Sequence, residues 1–169
     1  MKKSIIYAVS VLFVSLMVLG GNLQAQHKYV GEKMCSACHK GAKGNNVAEK
    51  WQSSDHSKAF ETLKSAKSKE IAEKMKIADP AASDKCLGCH VTNMAKKDEG
   101  VSCESCHGPG SDYKAMDVMK NPELAKQKGL ILGKGDASLC KKCHNPNSPT
   151  YKHFDYNKKW AMIKHPAKA

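Results

Sequence analysis

Four copies of one short pattern use every cysteine in the 169-residue chain, and this repeat constrains the fold more than any other feature. Each copy has two cysteines separated by two residues, with a histidine directly after the second. The copies are Cys35-Ser-Ala-Cys38-His39, Cys86-Leu-Gly-Cys89-His90, Cys103-Glu-Ser-Cys106-His107 and Cys140-Lys-Lys-Cys143-His144. Two cysteines three positions apart in a helical turn project from one side. They can form thioethers with one porphyrin while the histidine binds its iron as proximal ligand. The repeat therefore predicts four covalently bound haem c groups.

Other uses of paired cysteines fit the repeat less well. A zinc site does not require a histidine directly after every second cysteine. Four redox-active dithiols in one small chain would be unusual. A disulfide framework would leave the four matched histidines unexplained.

The first 25 residues have the order of a secretory signal peptide. Lys2 and Lys3 precede an uncharged apolar run, Ile5 to Leu19, and Ala25 offers a small residue at the cleavage position. The run is shorter than the roughly 20 apolar residues of a membrane-spanning helix, which favours cleavage over an uncleaved anchor. We therefore expect one domain over 26–169, a periplasmic location and no membrane span in the mature chain.

The mature chain is polar and strongly basic. The formal net charge is +12, and only 6% of residues are aromatic, so a large protein-only core is not expected. All 28 basic residues are lysine, whereas nucleic-acid recognition usually adds arginine forks, so we expect no nucleic-acid partner. The lysines favour electrostatic docking of acidic redox partners. A surface that serves only solubility is the alternative.

Periodicity predicts a mainly α fold with extensive loops, compact around the four haems and without a sheet. His56, Ala59, Phe60 and Leu63 recur at helical spacing, which predicts a helix over Trp51–Lys64 with His56 on its apolar face. Further helices are expected over Ser65–Ala78, over Ser111–Lys128 in two pieces, and over Lys158–Lys164.

Histidines and methionines outside the repeat are candidate ligands for the far side of each iron. A second strong ligand keeps the iron low-spin, whereas an open position allows a small molecule to bind. His56 and His165 are the preferred distal ligands. Methionine on a helix more often fills a core than binds a metal. The remaining candidates are His27, Met116 and Met119, and no role is evident for His153.

Several longer motifs carry a resemblance to a known family. They are Cys35–His39 followed by Trp51 and His56, Ala78-Asp79-Pro80, Cys86–Val91, Gly100–Gly110, and Cys140–His144 with a downstream helix ending in His165. On these motifs the chain, from about Gly31 to Pro166, resembles the tetrahaem cytochrome c-554 family of ammonia oxidisers, which is related to hydroxylamine oxidoreductase.

The resemblance implies a mainly helical fold with haems packed in close pairs. It also implies that His56 is distal ligand to the haem at His107, that His165 is distal to the haem at His144, and that the haem at His90 is open. The family places the distal histidine of the first haem soon after a Gly-Pro-Gly turn, but this chain has no histidine over Ser111–Pro122. Met119, Met116 or His27 would take that place.

An electron carrier is the favoured function, since no general acid–base pair or nucleophile pattern stands out. One alternative is an enzyme that reduces nitric oxide or another small nitrogen species at an open haem. Another is a subunit of a larger multihaem electron-conducting complex. The short distance in sequence between the second and third motifs predicts that their haems form a near pair.

Overall fold

The computed structural model describes residues 27–133 and 136–166, and the predicted signal peptide lies outside them. Within these ranges the chain forms ten α-helices and two 3-10 helices and no strand, which confirms the predicted mainly α fold. The α-helices are α1 Glu32–His39, α2 Val47–Gln52, α3 Ala59–Thr62, α4 Ala66–Lys74, α5 Asp84–His90, α6 Cys103–His107, α7 Met116–Met119, α8 Pro122–Gln127, α9 Ala137–Lys141 and α10 Tyr156–Ile163. The 3-10 helices are Ala42–Gly44 and Met94–Glu99.

Short helices position the repeated motifs. Three of them, α1, α5 and α6, end at the motif histidine, and α9 carries the first cysteine of the fourth motif. The longest described helix, α4, has nine residues. None of the helices over 27–133 and 136–166 is both long and apolar enough to cross a membrane.

The helix predicted over Trp51–Lys64 is wrong in its middle part. The chain leaves α2 at Gln52 and starts α3 only at Ala59, so His56 lies in a turn. At the break, serine hydroxyls donate to carbonyls of the preceding turn: Ser53 to Lys50 and Ser54 to Trp51. Such local bonds compete with the helical backbone pattern.

The other expected helices match more closely. Ser65 caps α4 by accepting a bond from the Ser68 amide at 3.2 Å. Asn121 caps α8 through the Leu124 amide, with Pro122 at the first helical position, as the predicted interruption requires. The C-terminal helix forms at α10.

The core built from protein side chains alone is small. Six of its buried residues in the described chain form two clusters: Leu63, Leu87 and Val91, and Tyr113, Val118 and Ala125. Ala48 and Ala72 are buried outside them. Phe60 packs on the first cluster and Met119 on the second. This agrees with the expectation that the folded state needs further apolar surface.

Gly108 lets the chain turn directly after α6. Its φ of 77° lies in the region that favours glycine, and a Cβ there would lie 3.0 Å from the Gly129 oxygen. Ile131, two residues further, donates its amide to the His107 carbonyl at 3.0 Å. The close approach therefore brings the 129–131 segment beside the third motif.

Candidate haem-binding sites

The cysteines of different motifs lie next to one another. Cys35 and Cys103 form a hydrogen bond that raises the pKa of Cys35 and lowers the pKa of Cys103. Burial and the neighbouring Cys89 raise the pKa of Cys143 to about 12. These contacts join the first motif to the third and the second motif to the fourth.

A third pair of neighbouring thiols relates the third motif to the fourth. Burial and the nearby Cys140 raise the pKa of Cys106. The third motif therefore also neighbours the fourth. The second and third motifs, adjacent in sequence, are joined by a hydrogen bond of 2.5 Å between Thr92 Oγ1 and Ser105 Oγ. The prediction that their haems form a near pair stays untested, while the thiol contacts pair the motifs differently.

Backbone carbonyls orient two of the motif histidines. Nδ1 of His90 lies 2.7 Å from the Ala59 oxygen, and Nδ1 of His107 lies 2.8 Å from the Ile131 oxygen. A carbonyl only accepts, so each Nδ1 carries the proton and Nε2 keeps its lone pair for a metal. Burial lowers the pKa of His107, which favours the neutral, ligating form.

Two motif histidines each face a histidine from outside the repeat. The ring centroids of His56 and His144 are 6.1 Å apart with a tilt of 57°, and those of His107 and His165 are 5.8 Å apart with a tilt of 51°. An ion bound to two imidazoles at about 2.0–2.1 Å each, with roughly 1 Å more to each centroid, places the centroids about 6 Å apart. Both separations fit one iron between two rings.

Burial supports the same interpretation at the first of these pairs. It lowers the pKa of His56, and the charge of His144 lowers it further. Burial also lowers the pKa of His144, with a smaller contribution from Lys159. Both shifts favour the neutral form of the imidazole, which is the form that a metal binds.

The ring contacts pair these histidines differently from the ligand sets that the resemblance implied. His56 lies beside His144 and not His107, and His165 lies beside His107 and not His144. Phe154, just before α10, stacks on His144 at 4.8 Å. Eight helical residues then span about 12 Å, which carries His165 away from the fourth motif.

The candidates for the first haem occupy different surroundings. His27 Nδ1 lies 3.0 Å from Asp112 Oδ2, directly after the Gly-Pro-Gly turn. Met119 packs against the second core cluster, and Met116 is 64% exposed. His153 is exposed. Of the three candidates, His27 is therefore the one that the structure shows bonded to a carboxylate.

Sequence reasoning missed Glu104, whose carboxylate organises this region. The side chain is 2% exposed and accepts from the Val30 amide at 2.9 Å, the Gly31 amide at 2.8 Å and the Gly110 amide at 2.7 Å. It thereby fixes residues 27–31, which we call the N-terminal arm, to the Gly-Pro-Gly turn. The only sign of this role in the sequence is an acidic residue between the two cysteines of a motif. Such a residue is usually interpreted as exposed to solvent.

A second set of bonds holds the same arm. The Lys28 amide donates to Ser111 Oγ at 2.9 Å, and the Ser111 amide donates back to the Lys28 oxygen at 3.1 Å. Lys96 Nζ donates to the Val30 oxygen at 2.9 Å. Together with Asp112, these contacts place the imidazole of His27 at a defined position beside the turn.

Two comparisons with known proteins gave a match. A family profile described as cytochrome c554 and c-prime matches residues 34–108, which include three of the four motifs. Cytochrome c-554 of Nitrosomonas europaea is 35% identical over 150 residues, covering 74% of this chain and 61% of that protein. This chain is similar to the cytochrome c-554 family. The resemblance recognised from the sequence motifs is thus confirmed, although the chain spans only about three fifths of that relative.

Similarity to the cytochrome c-554 family implies covalently bound haem c, and the donors described above fit it. Each facing pair offers two imidazoles at the separation that one iron needs. By contrast, among the residues described, no three or more histidine, cysteine or acidic side chains cluster as ligands of one metal ion. No solved structure matches the chain at a significant level.

Proposed function

We propose that this chain is a periplasmic tetrahaem c-type cytochrome that transfers electrons between respiratory redox partners. The two facing imidazole pairs, at 6.1 and 5.8 Å, are the observation that carries the proposal. Two strong ligands keep an iron low-spin, so that its surroundings change little when its oxidation state changes. That property suits a carrier better than an enzyme.

In this proposal each motif holds one haem. When bound, the haem supplies a centre that gains and loses one electron. The thioether residues are Cys35, Cys38, Cys86, Cys89, Cys103, Cys106, Cys140 and Cys143. The proximal histidines are His39, His90, His107 and His144. The carbonyls of Ala59 and Ile131 orient the imidazoles of the second and third motifs.

The ring contacts support a set of distal ligands. His56 would serve the fourth motif and His165 the third. The neighbouring thiols support an arrangement in which the third motif lies near the first and fourth motifs and the fourth lies near the second. Such an arrangement would let neighbouring haems exchange electrons.

His27 is the best supported distal ligand for the first haem. A carboxylate bonded to the far nitrogen of an imidazole is the usual second-sphere partner of a ligating histidine, and Asp112 supplies it at 3.0 Å. Met119 is engaged in the core, and Met116 lies on a four-residue helix with no such support. The His27–Asp112 pair would replace the histidine that the family carries after the Gly-Pro-Gly turn.

A second function is favoured by one feature of the second motif. Within the described residues, the motif histidines His107 and His144 each contact the ring of a second histidine. His90 takes part in neither contact. An open iron there would bind nitric oxide or another small nitrogen species. In that case the protein would reduce such a molecule as well as carry electrons.

The exported holo-protein tests these proposals. Mass spectrometry of the purified chain should show four covalently attached haems, and replacing both cysteines of any one motif with alanine should remove one. Voltammetry should show reversible exchange with an electrode. Fewer than four haems, or no exchange with an electrode or any periplasmic donor, would refute the tetrahaem carrier.

Two further measurements separate the alternatives. A ferrous protein that does not bind nitric oxide, together with purely low-spin ferric spectra, would exclude the enzyme. Size-exclusion chromatography with light scattering tests the multihaem complex, for which a clean monomer would be the contrary result.

A further inference from the structure

The positive charge of the chain is concentrated around the fourth motif. Residues 137–166 contain six lysines and a single acid, Asp155, which gives +5. The much longer range 27–136 contains 19 lysines and 15 acids, which gives only +4. The fourth motif therefore lies in the most strongly basic part of the chain.

The lysines of this part are also free of the ion pairs seen elsewhere. The four lysine–carboxylate ion pairs of the described residues all lie within the range 61–126. Asp155 instead accepts from the Lys158 backbone amide at 3.1 Å and caps α10. The six lysines, all exposed, are Lys141, Lys142, Lys152, Lys158, Lys159 and Lys164. We call them the fourth-motif lysines.

Contacts place these lysines around one histidine. Lys141 and Lys142 stand between the cysteines of the fourth motif. Phe154, just before α10, stacks on His144 at 4.8 Å, which fixes the start of that helix against the motif. Lys158 and Lys159 follow Phe154 by four and five positions, at the beginning of that helix. The two groups of lysines therefore border the same site from different helices.

Apolar side chains are exposed among the same residues. Met162 is 58% exposed and Tyr151 is 39% exposed. Met162 follows Lys158 and Lys159 by four and three positions, so these side chains share one side of α10. Protein–protein interfaces are typically enriched in methionine and tyrosine at the centre and have a polar rim. The surface has both components.

We propose that the fourth-motif lysines, with Met162 and Tyr151, form the docking surface for an acidic redox protein. The inference rests on the proposed electron-transfer function and names the place where a partner meets the chain. A second copy of this chain does not fit, because it would bring two clusters of +5 together. An acidic protein gains attraction at long range and buries the exposed apolar side chains at contact.

The test compares two triple variants of the holo-protein. The first, K158Q/K159Q/K164Q, removes three charges from the proposed surface. The control, K64Q/K74Q/K126Q, removes three charges from lysines that form ion pairs elsewhere. The two proteins have the same net charge, so a difference between them reports position alone. Unchanged haem spectra verify that both have folded.

The measured quantity is the second-order rate of reduction by flavodoxin hydroquinone, an acidic redox protein used as the probe. At low ionic strength we expect the first variant to react about 10-fold more slowly than the control, since steering contributes 10-fold or more to such rates. The difference should vanish at 1 M salt, where the Debye length is about 3 Å. Reduction by the cationic reagent hexaammineruthenium(II) should not slow in either variant.

A further variant, K141Q/K142Q, changes the same surface from the motif itself. It should slow the flavodoxin reaction as well, which a local effect on α10 would not explain. Equal rates for the first variant and the control would overturn the docking surface while leaving electron transfer intact. Failure of the unaltered holo-protein to accept electrons from either donor would instead refute the proposed function.

Discussion

The substitution Glu104→Gln tests how the N-terminal arm is held. It keeps the size of the side chain but replaces one carboxylate oxygen with an amide donor. Glu104 Oε1 accepts from the Val30 and Gly110 amides, and Oε2 accepts from Val30 and Gly31. Whichever way glutamine is oriented, an amide donor faces at least one backbone N–H. That N–H is then buried without an acceptor.

The expected cost follows from the number of bonds. Hydrogen bonds to a charged group contribute about 1.5–3 kcal/mol each, and a buried unsatisfied donor costs about 1–3 kcal/mol. Loss of one such bond at a site only 2% exposed should lower the free energy of unfolding by about 2–4 kcal/mol. For a chain of this size that corresponds to a fall in Tm of roughly 5–12 °C.

Circular dichroism of the holo-protein during heating measures Tm, and hydrogen exchange reports the amides of Val30, Gly31 and Gly110. Glu123→Gln is the matched control because this side chain is 75% exposed, and its change should stay within about 0.5 kcal/mol. Equal Tm values for the two variants, with unchanged exchange at the three amides, would show that Glu104 does not hold the arm.

The ligand assignments and the role of haem in folding give the remaining predictions. His56→Ala and His165→Ala should each convert one haem to high-spin in electron paramagnetic resonance spectra, and the double variant should convert two haems. If the double variant converted only one haem, both histidines would belong to the same iron. His27→Ala should likewise produce one high-spin haem, whereas Met119→Ala should not, and the reverse result would assign the methionine. Asp112→Asn should raise the midpoint potential of one haem in a spectroelectrochemical titration, because a weaker hydrogen bond makes His27 less basic; an unchanged set of potentials would contradict this. The apo-protein, made without haem attachment, should lack a cooperative thermal transition, since the protein-only core is small; a sharp transition would refute that reasoning.

The sequence allowed the helical fold and the attachment residues to be predicted because both depend on local patterns. The cap at Ser65 and the break at Pro122 act within a few residues and could be recognised from the sequence. The turn at His56 could not, because hydropathy periodicity continues across Ser53 and Ser54 while their hydroxyls redirect the backbone.

The pairing of histidines depends on distances that no local pattern encodes. The ring contacts of His56 with His144 and of His165 with His107 join residues that are 88 and 58 positions apart. The role of Glu104 is equally non-local, because its bonds reach back 73 and 74 residues to Gly31 and Val30. Neither contact leaves a periodic trace in the sequence.

The N-terminal arm has a consequence for the order in which the chain assembles. Its contacts reach residues 66 to 85 positions later, at Lys96 and Asp112. During synthesis the arm therefore precedes every residue that holds it, and it lacks its bonds to Glu104, Ser111 and Asp112 until the third motif and the following turn have emerged. Closing so long a loop costs entropy that the bonds to Glu104 must offset. The first described residues of the chain are thus fixed only after residues far along the chain, and docking of the arm reports that the first and third motifs have come together.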